Sequence, residues 1–183
     1  MPDVATVPAV AEGAYESAIF QERSCSTPGH VTSMHLHRDV AGATFYHEER
    51  TLGRDPVNGY HIYFHPRRDR LEPAVQFLEP GLPPLNEWRL LASKAGTPLL
   101  LRSQADVHDG RFTAGSHHFP MDGTGLAPRV LLVFEGTLRV GSERLWAGDI
   151  LALPAEQRTF HIDAAADLLL IHDRAKVRAT SRC

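Results

Sequence analysis

Eleven of the 183 residues are histidines, and their types and spacing offer the most chemistry. His35 and His37 stand at i and i+2, so on a strand they share one face and two imidazoles can converge on one ion. A third ligand has to come from a neighbouring strand, and His47 or Glu48 is nearest in sequence. Such a set, with open positions, suits Fe, Zn, Mn or Ni, and the spacing does not choose among these divalent transition metals. The bland reading of the pair is two polar residues on an exposed strand face. His117 and His118 are adjacent, so a strand sends them to opposite faces and only one can enter a barrel. With His161 that one makes a second metal-ligand set; otherwise the two are a turn histidine and a packed one.

His61, Tyr63 and His65 alternate with Tyr60, Ile62 and Phe64. The second trio reads as core. In the first, His61 and Tyr63 line a pocket as substrate-binding residues or face solvent. His172 reads as a strand-end residue, and His30 and His108 as loop residues without a role. Other chemistry is missing: there is no G-x-S-x-G, Gly-rich phosphate loop, C-x2-C or H-E-x2-H. Cys25 has no histidine placed to activate it.

Composition narrows the partners. Lys+Arg number 19 against 22 Asp+Glu, a net charge of −3, which argues against nucleic acid and anionic membrane surfaces. The longest apolar runs, Val130–Phe134 and Ala164–Ile171, are too short to span a bilayer. Residues 1–13 lack the basic flank of a secretory signal, and two cysteines suit a reducing compartment, so the expected location is cytoplasmic. At 43% hydrophobic and 22% charged, the chain reads as one globular domain or two small ones sharing a core.

The elements that must position these residues are strands. Short β-branched, aromatic and aliphatic runs recur between Gly, Pro and Asp clusters, and no segment has a helical period. Strands are expected at Val31–His37, Thr44–Arg50, Gly59–His65, Ala74–Leu78, Trp88–Ala92, Pro98–Arg102 and Arg111–Ala114. Further ones follow at Val130–Phe134, Leu138–Val140, Ile150–Leu153, Thr159–Ile162 and Asp167–His172. Asp109-Gly110, Asp122-Gly123, Glu135-Gly136 and Gly148-Asp149 suit tight turns between them. Residues Leu71–Gly81 and Leu145–Ala155 also look alike: each places a Leu nine residues before a Pro, with alternating apolar residues between. Read as a repeat, they divide the chain into two halves near Ala92–Thr97.

Gly148 and Pro154 form G-x5-P after the strand pair Val133–Val140, and Arg111–Asp173 thereby resembles a cupin domain. The resemblance implies an all-β fold, a cupin jelly-roll barrel, here as two tandem small barrels (a bicupin). Residues 14–92 are the N-terminal repeat and 93–176 the C-terminal cupin domain, with tails at 1–13 and 174–183. In the N-terminal half, Gly29, His35 and His37 fit the G-x5-H-x-H of the first cupin motif. In the C-terminal half the motifs are altered. Arg129 stands at the glutamate position, Thr159 at the histidine position and His161 two residues later, so this copy has lost the standard ligand set unless Pro120–Pro128 is an insertion, in which case His117 and His118 serve instead.

The resemblance implies a small-molecule metalloenzyme: a dioxygenase, cyclase, isomerase or lyase acting on a small, aromatic or polyketide-like metabolite. Its ion polarises a substrate oxygen or binds O2. His35, His37 and Glu48 are the catalytic set, and His35, His37, His47, His117, His118 and His161 are the metal-ligand candidates. His61, Tyr63 and Arg129 are the substrate-binding candidates, the guanidinium of Arg129 suiting an anion. The alternative is a metal-free ligand-binding or sensor protein. Exposed strand edges permit a homodimer.

Overall fold

The computed structural model describes residues 16–22, 31–38, 58–64, 75–78, 80–121 and 127–174. The expected apolar and β-branched runs become strands. In order these are β1 (Glu16–Glu22), β2 (Val31–Arg38), β3 (Asn58–Phe64), β4 (Val75–Leu78), β5 (Trp88–Ser93) and β6 (Leu99–Leu100). Then come β7 (Ala105–His118), β8 (Arg129–Val140), β9 (Glu143–Trp146), β10 (Ile150–Leu153) and β11 (Thr159–Asp173). No helix occurs among the described residues. Four strands form one antiparallel sheet in the order β3-β1-β2-β4. Seven form the other, in the order β10-β8-β11-β7-β5-β6 with β9 beside β8.

The long strands correct two expected turns. Asp109-Gly110 lies inside β7 and Glu135-Gly136 inside β8. Asp109 is tolerated mid-strand because Arg89 on β5 bonds both of its carboxylate oxygens. Gly136 bends β8 instead of reversing it. Its φ is +87°, and it lies opposite Ala166, where β11 carries a bulge between Ile162 and Ala165. Val130–Phe134 and Leu138–Val140 are thus one strand, as are Thr159–Ile162 and Asp167–His172. The turn at Gly148-Asp149 is as expected, with Asp149 Oδ2 accepting from the Trp146 amide at 2.8 Å. β1 and β9 were not expected; Thr44–Arg50 and Asp122-Gly123 lie outside the described residues.

Two cores explain the two longest apolar runs. Along β8 and β11, Leu131, Val133, Leu168 and Leu170 enter one core, with Phe112, Phe119, Leu138, Leu153 and Phe160. The alternate residues Leu132, Leu169 and Ile171 enter the other, with Leu91, Leu99, Leu101, Val107 and Phe64. A strand covered on both faces reads as a continuous apolar run and not as an alternation. Tyr60, Ile62 and Leu78 of the four-stranded sheet pack against this second core. The Tyr60 hydroxyl donates to the Val133 carbonyl at 3.0 Å, and its ring meets Phe134 edge-on at 4.8 Å. Gln76 bridges β4 to β6 by bonding both the amide and the carbonyl of Leu100, each at 3.0 Å. Tyr60, Ile62 and Phe64 are therefore core-facing, as their spacing indicates.

A Cβ at Gly136 would sit 1.9 Å from the Ala165 oxygen and 2.7 Å from the Ala166 Cα, both of them backbone atoms that cannot swing aside. Gly136→Ala is expected to destabilise the protein by about 3 kcal/mol or more, read as a lowered urea midpoint followed by circular dichroism.

Candidate functional site

Backbone register sets the N-terminal histidines relative to one another. Across the four-stranded sheet, His61, Ile19, His35 and Phe77 form one row on β3, β1, β2 and β4. Tyr63, Ser17, His37 and Val75 form another, two positions along. Residues directly opposed, or two apart, lie on the same face of a sheet. His35, His37, His61 and Tyr63 thus share a face, opposite to the one that Tyr60, Ile62 and Phe64 present to the second core. His35 and His61 are separated by a single strand, roughly 9–10 Å between backbones. His47 and Glu48 lie outside the described residues.

Of the C-terminal candidates, His117 is parted from His161, whereas His118 lies on the same face as His161. His117 pairs with Phe160, whereas His161 pairs with Ser116. A one-residue offset on a strand changes the face. His117 accordingly packs on Phe112 and Phe160, with ring centroids 4.9 and 5.5 Å away, and its Nε2 bonds the Thr113 carbonyl at 2.9 Å. His161 is on the opposite face with Ser116 and the exposed His118. This corrects the expected pairing of His117 with His161. His118 does share the face of His161, but among the described residues no three His, Cys, Asp or Glu side chains gather as a metal site. The core on the His117 side is filled by aromatic rings instead. Trp88, Phe112, Phe119 and Phe160 pack together in edge-on, tilted and stacked pairs with centroids 4.7 to 6.3 Å apart.

Arg129 also has a task inside the fold. It is 5% exposed, and its Nη2 donates to the carbonyls of Pro154, Ala155 and Gln157 at 3.0, 3.3 and 2.6 Å. The guanidinium further lies over the Phe119 ring at 5.5 Å. Arg89 does the same for the other half of the suggested repeat, donating to the carbonyls of Pro80, Gly81 and Leu82. Each proline-ended edge strand, β4 and β10, is therefore followed by a turn clipped by one arginine. This engagement corrects the reading of Arg129 as an open anion clamp.

Sequence reasoning missed a buried polar cluster at the end of β7 and β11. Asp106, His172 and Arg129 form one row across β7, β11 and β8, and all three are buried. Asp106 accepts a hydrogen bond from Ser93 Oγ at 2.5 Å and is bridged to Arg174. His108 lies beside His172, ring centroids 5.2 Å apart, and its buried Nδ1 has no hydrogen-bond partner. Burial first, and the neighbouring His172 second, push the His108 pKa down from 6.5 to about 4. The imidazole is therefore neutral at physiological pH. The signal for this cluster was present: His172 ends the run Leu168–Ile171, and a residue continuing a strand covered on both faces is buried whichever way it points.

No protein-family model matches the chain, and no curated protein does. Solved structures do. A bacterial pirin, YhhW from Escherichia coli, in complex with nickel(II), is 11% identical with a TM-score of 0.64; the match covers 89% of this chain and 73% of that one. YhaK from Escherichia coli is 20% identical with a TM-score of 0.61, over 93% of this chain and 78% of that one. Quercetin 2,3-dioxygenase from Acinetobacter baumannii is 12% identical with a TM-score of 0.53, over 88% and 65%. All three are cupin-fold proteins, and the chain has the cupin jelly-roll fold.

Two predictions test the cluster and the clip. The folded pKa of His108 lies below its unfolded value, so the native state binds fewer protons between pH 6.5 and about 4. Stability is then present above 6.5 and lost as the pH falls through that window, by up to about 3 kcal/mol from this group. His108→Gln is expected to flatten the pH dependence of the urea midpoint. Arg129→Ala leaves three carbonyls short of a donor and should lower stability by about 2–4 kcal/mol; calorimetry reads this directly, with Arg129→Lys recovering only part because it lacks the planar fork.

Proposed function

We infer that this chain is a cupin-type metalloenzyme acting on a small molecule, with its centre on the His35 face of the N-terminal sheet. The reading rests on backbone register, which places His35, His37, His61 and Tyr63 at positions of one face, alternate to those of Tyr60, Ile62 and Phe64. The donor set fits a divalent transition ion: two imidazoles two residues apart, and a third one strand removed at a backbone spacing that ligands of one ion commonly span. His47 and Glu48 remain proposed as further ligand and catalytic carboxylate. A bound Fe, Zn, Mn or Ni ion supplies Lewis-acid polarisation of a substrate oxygen. Tyr63 brings a phenol to the same face, suited to hydrogen-bond a hydroxyl or carbonyl of an aromatic or polyketide-like metabolite. The nickel in the pirin structure and the dioxygenase activity in the name of the Acinetobacter protein support a metal-dependent and oxidative class.

The division into tandem barrels belongs to the same proposal. On this reading residues 14–92 carry the site and 93–176 form the second barrel, although β5 (Trp88–Ser93) pairs with β7 and so belongs to the seven-stranded sheet of the second half. The metal-free binding reading is favoured by one observation: Arg129, at the glutamate position of the motif, is engaged with turn carbonyls.

Elemental analysis of untagged full-length protein separates the two. About one transition metal per chain is expected, lost in His35→Ala/His37→Ala and kept in His161→Ala. A chain that takes up no metal when Fe, Zn, Mn and Ni are each supplied overturns the metalloenzyme and leaves the binder.

A further inference from the structure

The outer face of the C-terminal sheet carries a different chemistry. Register aligns Ser116, His161, Arg139 and Arg144 as one row across β7, β11, β8 and β9. Opposed residues share a face. Their chain neighbours Phe160, Ile162, Leu138, Val140 and Leu145 fill the core beneath, so the row lies on the side away from it. A shallow cleft of about 420 Å³ opens there, lined by Ser116, Arg139, Gly141, Gln157, Thr159 and His161.

Nearly every polar side chain of this cleft can donate. Ser116 Oγ and His161 Nδ1 are hydrogen-bonded at 3.2 Å, which orients the ring. Gln157 Nε2 is held by the Thr159 carbonyl. Asp163, which is not part of the lining, is shared by Arg139 and Arg144 at 3.3 and 3.2 Å. Two guanidiniums against one carboxylate leave a net positive charge, and half of the Arg139 side chain is exposed to a ligand. Hydroxyl, imidazole, amide and guanidinium donors around a positive hollow match an oxyanion, whose oxygens accept several charge-assisted bonds at once. The same arginines oppose a cation, and two of them are too few to track a nucleic-acid backbone.

We propose that this cleft binds the oxyanion group of a small molecule, a phosphate or a carboxylate, with Arg139 and His161 as its principal donors. It lies on a different sheet from His35 and His37, and it stands or falls independently of the metal centre.

The test is a titration of the full-length chain with inorganic phosphate, and separately with acetate, at constant ionic strength, followed by two-dimensional amide NMR. Saturable shifts at Ser116, Gly141 and His161 are expected with at least one of the two anions, and which one saturates assigns the group. Arg139→Gln should weaken that binding about tenfold or more, His161→Gln should weaken it as well, and His35→Ala/His37→Ala should leave it unchanged. Arg139 is half exposed, so its replacement leaves the core intact; the unshifted amides of Leu168–Ile171 check this. Non-saturating shifts, equal shifts with chloride, or undiminished affinity in Arg139→Gln would overturn the proposal.

Discussion

Everything described in this protein depends on one sheet whose centre has no solvent-facing side. Leu169 and Leu170 are adjacent, both without exposed surface, and they enter different cores. That is possible only if β11 is covered on both faces: by the aromatic interior on one side, and by β3 and β4 of the four-stranded sheet on the other. Burying a leucine fully is worth about 2 kcal/mol, so the paired runs of β8 and β11 hold the two halves together. The Tyr60 and Gln76 bonds fix the orientation of a contact that apolar burial drives.

A sheet sandwiched in this way has to satisfy most of the polar groups that it buries. Two arginines do much of this work. Arg89 neutralises buried Asp109 and holds the turn after β4, and Arg129 holds the turn after β10. The two turns follow the Leu-to-Pro segments that look alike in sequence. Their clips come from opposite directions along the chain, one from the strand that follows and one from a strand that precedes. The likeness therefore lies in the physical need, a row of turn carbonyls beside an edge strand, and not in the position of the residue that meets it.

Function divides along the faces that remain. One face of the four-stranded sheet is consumed by packing, and the proposed centre is placed on the other. In the C-terminal half His117 packs among the aromatic rings of the core, on the opposite face from His161. Three of the histidines are drawn into packing or the buried polar cluster: His117 against phenylalanines, His108 and His172 against each other.

The sequence by itself determined the fold class, most strand positions and the facing of Tyr60, Ile62 and Phe64, because side-chain alternation is a local property of the strand. It also carried the i, i+2 relation of His35 and His37, which needs no partner strand to be read. Tertiary structure decided what no local pattern encodes. Which strands lie side by side put His61 and His35 in one row with Ile19 between them, parted His117 from His161 and lined up Ser116, His161, Arg139 and Arg144. Asp109-Gly110 and Glu135-Gly136 have the composition of turns, yet Arg89 and the bulge of β11 make each a continuous strand. His172 became a core residue for the same reason: burial is a property of the layers on either side of a strand, and those layers come from distant parts of the chain.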